Sequence, residues 1–264
     1  MSIQILTGDC RTTLATLPEK SVQCCITSPP YDNLRTYGGG VSWNFEDTAR
    51  ELYRVMCDGG VICWNVGDSV IGGSETLSAF KQAIFFKDSV GFRVHDTMIY
   101  EKSNFGHPEK TRYHQLFEYI FILSKGKPRC FNPIKDKKNI YAGTGALGVA
   151  TMREADGSLK PRKRNIITEF GMRGNVWKCN TASQEAVCQA LPHPAMMPRS
   201  LCRDLMLSWS REGDTILDPF FGSGTTGLVA QQHGRSCIGI ELNAEYVKLA
   251  EKRCGIIPVE NFPA

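Results

Sequence analysis

The chain has 264 residues, 42% of them hydrophobic and 22% charged, with a formal net charge of +4. That length suits one large domain or a domain with an inserted module, and that composition excludes global disorder. The charge is too mild to prove a nucleic-acid partner and too positive to dismiss one.

In chain order, Ile3–Leu6 reads as a short strand and Arg11–Leu17 as a helix after Asp9. Val22–Ile26 is a continuous apolar run that ends in the turn chemistry of Thr27-Ser28-Pro29-Pro30-Tyr31. Phe45–Cys57 places Phe45, Ala49, Leu52, Tyr53 and Met56 at helical spacing, and Gly59-Gly60 reads as its stop. Val61–Val66 predicts a buried strand, Leu77–Ser89 a helix, and Arg93–Tyr100 and Gln115–Leu123 two strands. The alternation implies an α/β, doubly wound sheet with helices on both faces. The last two strands have no helix between them, which predicts an antiparallel pair at that edge. Phe117, Tyr119 and Phe121 alternate at strand period and are expected in the core.

From Lys125 to Lys178 the chain is rich in Gly, Pro, Asn, Lys and Arg, with only short periodic pieces. Order returns at the helix Pro198–Ser208 and the strand Thr215–Leu217. Then come a glycine loop, a helix Thr225–His233, a strand Ser236–Glu241 and a helix Glu245–Arg253. The expected domains are residues 1–124 and 179–264 as two halves of one core, with an insert at 125–178.

The eleven cysteines form no CxxC pair and no metal-like spacing with the five histidines. Several lie within apolar runs, as Cys24, Cys25 and Cys63 do, where free cysteine behaves as a small hydrophobe. His107, His114 and His193 are expected as loop or core histidines, so no metal is predicted. The first residues lack the pattern of a signal peptide, and no apolar run reaches membrane-spanning length. A reducing cytoplasmic compartment and no membrane partner are therefore expected.

Asp218-Pro219-Phe220-Phe221-Gly222-Ser223-Gly224-Thr225-Thr226 follows a strand and opens a helix. Glycines there let backbone approach a ligand, and a helix N-terminus favours a negative group. Glu241 comes 17 residues after Gly224 at a strand end, where a carboxylate can accept both hydroxyls of a ribose. An acid at Asp218 would repel a pyrophosphate and suits an ammonium, which favours S-adenosylmethionine over a dinucleotide. The missing GxGxxG disfavours a nicotinamide oxidoreductase.

At Thr27–Tyr31 two prolines fix φ and donate no hydrogen bonds, leaving carbonyl acceptors on a rigid turn. Ser28 adds a hydroxyl and Tyr31 an aromatic face. Such acceptors beside a ring suit a planar base bearing an exocyclic amino group.

Taken together, TSPPY, DPFFGSGTT and IGIEL resemble the S-adenosylmethionine-dependent DNA amino-methyltransferases, which act on cytosine N4 or adenine N6. The order, catalytic motif first and cofactor loop last, resembles the family's β group. Gly8-Asp9-Cys10, Gly59-Gly60-Val61, Asn175-Val176-Trp177 and His193-Pro194-Ala195-Met196-Met197-Pro198 extend the likeness along the chain. The resemblance implies a Rossmann-like methyltransferase sheet and a target-recognition region at 125–178. It implies catalysis at Ser28, Pro29, Pro30 and Tyr31. S-adenosylmethionine would then meet Asp9, Cys10, Asp218, Phe220, Gly222, Ser223, Gly224, Thr225, Thr226, Glu241 and Leu242. The implied partner is double-stranded DNA, with a homodimer and a cognate restriction endonuclease both compatible. A serine in the first motif position is more usual for cytosine N4 enzymes of the family, and adenine N6 stays open. An RNA or protein methyltransferase and a non-catalytic DNA-binding module are the competing readings.

Lys125–Lys178 carries 13 Lys or Arg against 4 Asp or Glu, a net +9, which leaves −5 on the rest. A basic module on a slightly acidic core fits phosphate contact, with Lys160, Arg162, Lys163 and Arg164 as candidates. Arg35 joins them on an expected flap with Tyr37 and Gly38–Gly40 after the catalytic turn.

Overall fold

A computed structural model describes residues 2–30, 44–104, 110–143, 151–161, 166–182 and 196–256. The first half contains β1 (Ile3–Thr7), α1 (Cys10–Thr16), β2 (Val22–Thr27), α2 (Phe45–Val55) and β3 (Met56–Val66). A small hairpin, β4 (Val70–Ile71) with β5 (Ser74–Glu75), leads to α3 (Ser78–Phe85), β6 (Arg93–Lys102) and β7 (Phe117–Ser124). Next are the short strands β8 (Lys137–Lys138), β9 (Thr151–Arg153), β10 (Leu159–Pro161) and β11 (Phe170–Gly171), followed by β12 (Val176–Cys179). The last part holds α4 (Arg199–Trp209), β13 (Thr215–Asp218), α5 (Thr225–Gln232), β14 (Ser236–Glu241) and α6 (Ala244–Arg253).

Eight strands form one sheet in the order β1-β14-β13-β2-β3-β7-β6-β12. Only β7 runs against the others. The apolar runs VQCCIT and TILD lie in the middle of this sheet and are buried on both faces, as parallel strands between helical layers require. Leu14, Leu52, Val55, Ala79 and Ala83 of α1–α3 pack on one face against Cys25, Ile62, Trp64, Leu123, Leu217 and Ile240. On the other face α4 packs against β2 and α5, burying Leu201, Cys202, Leu205 and Met206.

Helix ends are closed by identifiable groups. Asn44 caps α2 by accepting the N–H groups of Glu46 (3.0 Å) and Asp47 (3.3 Å), with acids in the first turn. At the other end Lys125 Nζ donates to the carbonyls of Tyr53 (2.6 Å) and Met56 (2.9 Å). Its desolvation there pulls the ammonium pKa down. Arg54 donates likewise to the carbonyls of Leu14 and Leu17 at the end of α1.

Several elements differ from the sequence expectation. Gly59-Gly60 lies inside β3 and does not terminate α2, which ends four residues earlier at Val55. Gly59 has φ +77° and sits under the chain leaving β7: a Cβ would lie 2.9 Å from the Lys127 carbonyl oxygen. The helix expected to Ser89 changes to a π turn over Phe86–Val90, closed by Gly91 at φ +100°. The antiparallel pair β6–β7 is present, but the reversed strand is interior. The outer place is taken by β12, which pairs parallel with β6 although its four residues did not stand out as a strand. Along β7 burial is graded: Phe121 is 3% exposed and Phe117 37%.

The chain divides into a large unit, Met1–Asn132 with Asn175–Ala264, and a small one, Pro133–Gly174. The small unit contains two two-stranded sheets, β9–β10 and β8–β11, and an Asp136–Arg173 ion pair. The basic stretch therefore begins within the large unit: Lys125 closes α2 and Arg129 pairs with Asp214 at 2.7 Å. Among the described residues no helix is long and apolar enough to cross a membrane.

Candidate active site

The sheet changes direction of winding between β13 and β2. From β13 the chain passes through α5 to β14 on one side, and from β2 through α2 to β3 on the other. Crevices for ligands open at the carboxyl ends of strands flanking such a switch point. Here those ends carry Thr27-Ser28-Pro29-Pro30 and the glycine loop from Asp218.

Ser28 is half-buried, Pro29 buried and Pro30 half-buried directly after β2. Tyr31 lies outside the described residues, as do Arg35 and the flap around it. Thr27 Oγ1 donates to Asp218 Oδ1 at 2.7 Å, joining the proline turn to the glycine loop. Asp218 Oδ1 also accepts the Phe220 N–H (3.1 Å), and Oδ2 accepts Thr226 Oγ1 (2.7 Å). Burial pushes the carboxyl up to about 6, against the pull of these three donors. At 6% exposure Asp218 lies deeper than expected of a group meeting an ammonium, and its first partners are the chain's own.

The loop's shape follows from its glycines. Gly222 and Gly224 have φ +51° and +79°, which a side chain would strain. A Cβ on Gly224 would also lie 2.9 Å from Ala250 Cβ of α6. Phe221 is 3% exposed and fills a slot left by two more glycines: a Cβ would approach its ring to 2.4 Å from Gly239 and 2.6 Å from Gly227. Phe220 is less buried, its ring centroid 6.3 Å from that of Trp64. Ser223, Thr225 and Thr226 are buried.

Glu241 ends β14 beside this loop. Its Oε2 accepts the Gly222 N–H and its Oε1 the Asn243 N–H, each at 2.8 Å. A carboxylate has about four acceptor sites, so capacity for two hydroxyls remains. The Glu241 carbonyl accepts the Gly8 N–H at 2.9 Å, which brings the end of β1 alongside. Asp9 there caps α1 and holds Arg11 through two side-chain bonds (2.9 and 2.7 Å), and this pairing lowers its pKa. Cys10 points into the core at 8% exposure, its thiol raised by burial, and Leu242 is 50% exposed. Glycine backbone, a strand-end carboxylate with spare acceptors and adjoining apolar groups fit a nucleoside with a charged tail.

Some contributors were not singled out by sequence. Arg253 of α6 reaches back to the Ser223 carbonyl (2.6 Å), the Ser223 hydroxyl (2.7 Å) and Thr225 Oγ1 (3.4 Å), clamping the loop. Its position in the last turn of a helix reads as ordinary dipole complementation, so only the fold exposes this role. Thr27 and Phe221 became visible in the same way. Cys25 and Cys237 are fully buried and desolvation raises both thiols well above their usual value, which suits packing and not nucleophilic attack. Of the basic candidates, Lys160 is exposed and 3.7 Å from Glu154. Arg162, Lys163 and Arg164 lie outside the described residues, with His107 and His193, while His114 is exposed.

A sheet of this order, with a glycine loop after β13, an acid ending β14 and a proline turn after β2, defines a Rossmann-like methyltransferase. The N6_N4 DNA methylase family profile matches residues 22–252, and the chain belongs to that family. It is 47% identical over 236 residues to the orphan methyltransferase M.BamHII of Bacillus amyloliquefaciens, covering 88% of each chain. Among solved structures it resembles PvuII DNA methyltransferase (cytosine-N4-specific), with TM-score 0.70 and 19% identity over 100% of this chain and 89% of that one. It also resembles M1.HpyAVI in complex with S-adenosylmethionine, with TM-score 0.61 and 22% identity over 95% and 99%. The protein is an S-adenosylmethionine-dependent DNA methyltransferase acting on an exocyclic amine.

Proposed function

We propose that the protein methylates cytosine N4 within a short sequence of duplex DNA, at the turn Ser28-Pro29-Pro30-Tyr31. The observation that carries this reading is the Thr27–Asp218 bond, which sets that turn against the cofactor loop. When bound, S-adenosylmethionine would supply an electrophilic methyl group on a sulfonium: the new N–C bond would replace the S–C bond, S-adenosylhomocysteine would leave, and one amino proton would pass to solvent. The Ser28 hydroxyl and the Pro29 carbonyl accept the two amino hydrogens, so that the nitrogen lone pair is turned out of ring conjugation. Pro30 keeps the turn rigid, and Tyr31 stacks on the base. Holding the amine in line supplies much of the acceleration, and fixed dipoles stabilise positive charge developing on nitrogen. The amino group is paired inside a duplex, so the base is extruded to reach the turn.

Around the cofactor, Glu241 receives the ribose hydroxyls. Asp9, Phe220, Leu242 and the backbone at Cys10, whose side chain turns into the core, would lie about the adenine. The backbone of Gly222, Ser223, Gly224, Thr225 and Thr226 cradles the methionine end. Asp218 acts on its ammonium through its field and the loop it shapes. Adenine N6 is the second reading, since both bases present an amino group beside a ring nitrogen. Ser28 in the first motif position favours cytosine. M.BamHII is named an orphan, which favours an enzyme working without a cognate endonuclease. A homodimer is compatible with this function and not required by it.

Transfer of labelled methyl to duplex DNA, followed by nucleoside analysis, tests the reading. N4-methylcytosine is expected, and N6-methyladenine alone would overturn the base assignment. Ser28→Ala should lower turnover about tenfold to a hundredfold, as loss of an oriented polar contact does, with cofactor affinity unchanged. Equal turnover would remove Ser28 from the mechanism.

The insert 125–178 is proposed as the target-recognition region, with Lys160, Arg162, Lys163 and Arg164 on phosphates and Arg35 contributing from the core. Log affinity for DNA should fall linearly with log salt, with a slope of about −0.9 per phosphate neutralised. Replacing those four insert residues by glutamine should flatten the slope by up to about 3.6. An unchanged slope would place the DNA elsewhere.

A further inference from the structure

We propose that Thr27, Asp218 and Thr226 form a positioning bridge that keeps the catalytic turn in register with the cofactor loop. The inference rests on the assignment of chemistry to the turn that starts at Ser28. Thr27 is the last residue of β2 and the one before Ser28. Asp218 is the last residue of β13, and Thr226 lies in the first turn of α5. One carboxylate therefore spans three elements, with Thr27 on Oδ1 and Thr226 on Oδ2, each at 2.7 Å. The Phe220 N–H on Oδ1 ties in the loop itself.

The three side chains are buried, with Thr27 at 0%, Thr226 at 2% and Asp218 at 6% exposure. A buried carboxylate without partners would be strongly unfavourable, so the carboxylate and its donors hold one another in a single arrangement. The flanking strands pair only at Ile216–Cys24 and Leu217–Cys25 and make no further register pair. Beyond that ladder, the Thr27–Asp218 hydrogen bond holds the two carboxyl ends against each other. It acts one residue before the hydroxyl that meets the amine and two residues before the loop's first aromatic. Small errors of registry between reacting groups are costly in rate while leaving each ligand's own contacts intact. The bridge therefore acts on turnover more than on binding.

The test compares turnover with S-adenosylmethionine affinity in the full-length enzyme. Thr27→Val keeps the shape and removes the donor. Turnover should fall about twentyfold while the cofactor Kd moves less than about threefold, the split expected of lost alignment. Thr27→Ser should recover most of the lost rate, and Thr27→Cys, a weak donor, should lie between and replaces the valine variant if that one does not fold. Thr226→Val, which removes the donor on Oδ2, should show the same split, a fall in turnover of about fivefold with the cofactor Kd moving less than about threefold. Full turnover in Thr27→Val alongside impaired Ser28→Ala would overturn the bridge. So would equal losses of turnover and affinity in Thr27→Val, or no recovery in Thr27→Ser. Impaired Thr27→Val beside unimpaired Ser28→Ala would instead uphold the bridge and sink the assignment of Ser28.

Discussion

Glu241→Ala is expected to weaken S-adenosylmethionine binding by roughly a hundredfold or more, about 3 kcal/mol, from two lost bonds to a charged acceptor. The side chain has two duties, and alanine ends both. In the proposed site its spare acceptor positions take the ribose hydroxyls, and its Oε2 holds the Gly222 N–H at 2.8 Å. Removing the carboxylate therefore leaves the Gly222 N–H without its acceptor at the end of β14. Glu241→Gln keeps one carbonyl acceptor and should fall between. Titration calorimetry on purified protein gives the answer directly, and an affinity within about threefold of wild type would remove Glu241 from the ribose site.

A second large effect is expected at a residue that meets no ligand. In Gly239→Ala the added methyl would lie 2.4 Å from the Phe221 ring, which is 3% exposed and also confined by Gly227. Overpacking of this severity costs about 3 kcal/mol, or roughly 10 °C in Tm for a chain of this size. Phe221 N–H donates to the Ile240 carbonyl at 2.9 Å, so moving the ring moves the loop that carries Gly222 and Gly224. Stability and cofactor affinity should fall together. Gly239→Ala combined with Phe221→Leu makes room for the methyl and should recover part of both. Unchanged unfolding in the single variant would mean that the slot yields more easily than a close-packed interior does.

The strands near the switch point were legible because parallel strands buried on two faces must be written as unbroken apolar runs, as VQCCI and TIL are. The site motifs were legible because their chemistry is local: two prolines in one turn, glycines in one loop, an acid at one strand end. What escaped depends on distant residues. Gly59-Gly60 carries the same letters as a helix stop, and only the later passage of Lys127 beside it shows that the glycines admit a second backbone. Lys125 and Arg129 count as insert by composition, yet α2 carbonyls and Asp214 claim them for the core. The charge of Asp218 suggests an outward-facing acid, and its burial between Thr27 and Thr226 depends on residues far from it in sequence.

Strands β1 and β2 are the first two in the chain, yet β14 and β13 stand between them in the sheet. During synthesis each early strand must wait, with an unpaired edge, for a distant partner: Cys24 of β2 pairs with Ile216 and Ile3 of β1 with Cys237. Such non-local closure is slow and exposes sticky intermediates. It also delays the joining of the two motif regions, because the bond from Thr27 closes onto a residue 191 positions away. A ribosome-bound or truncated chain that stops before β13 lacks the centre of its own sheet. Methylation competence should therefore arise abruptly, only once β13 and β14 have emerged, and fragments ending in the insert should aggregate without ever acquiring a fraction of the activity.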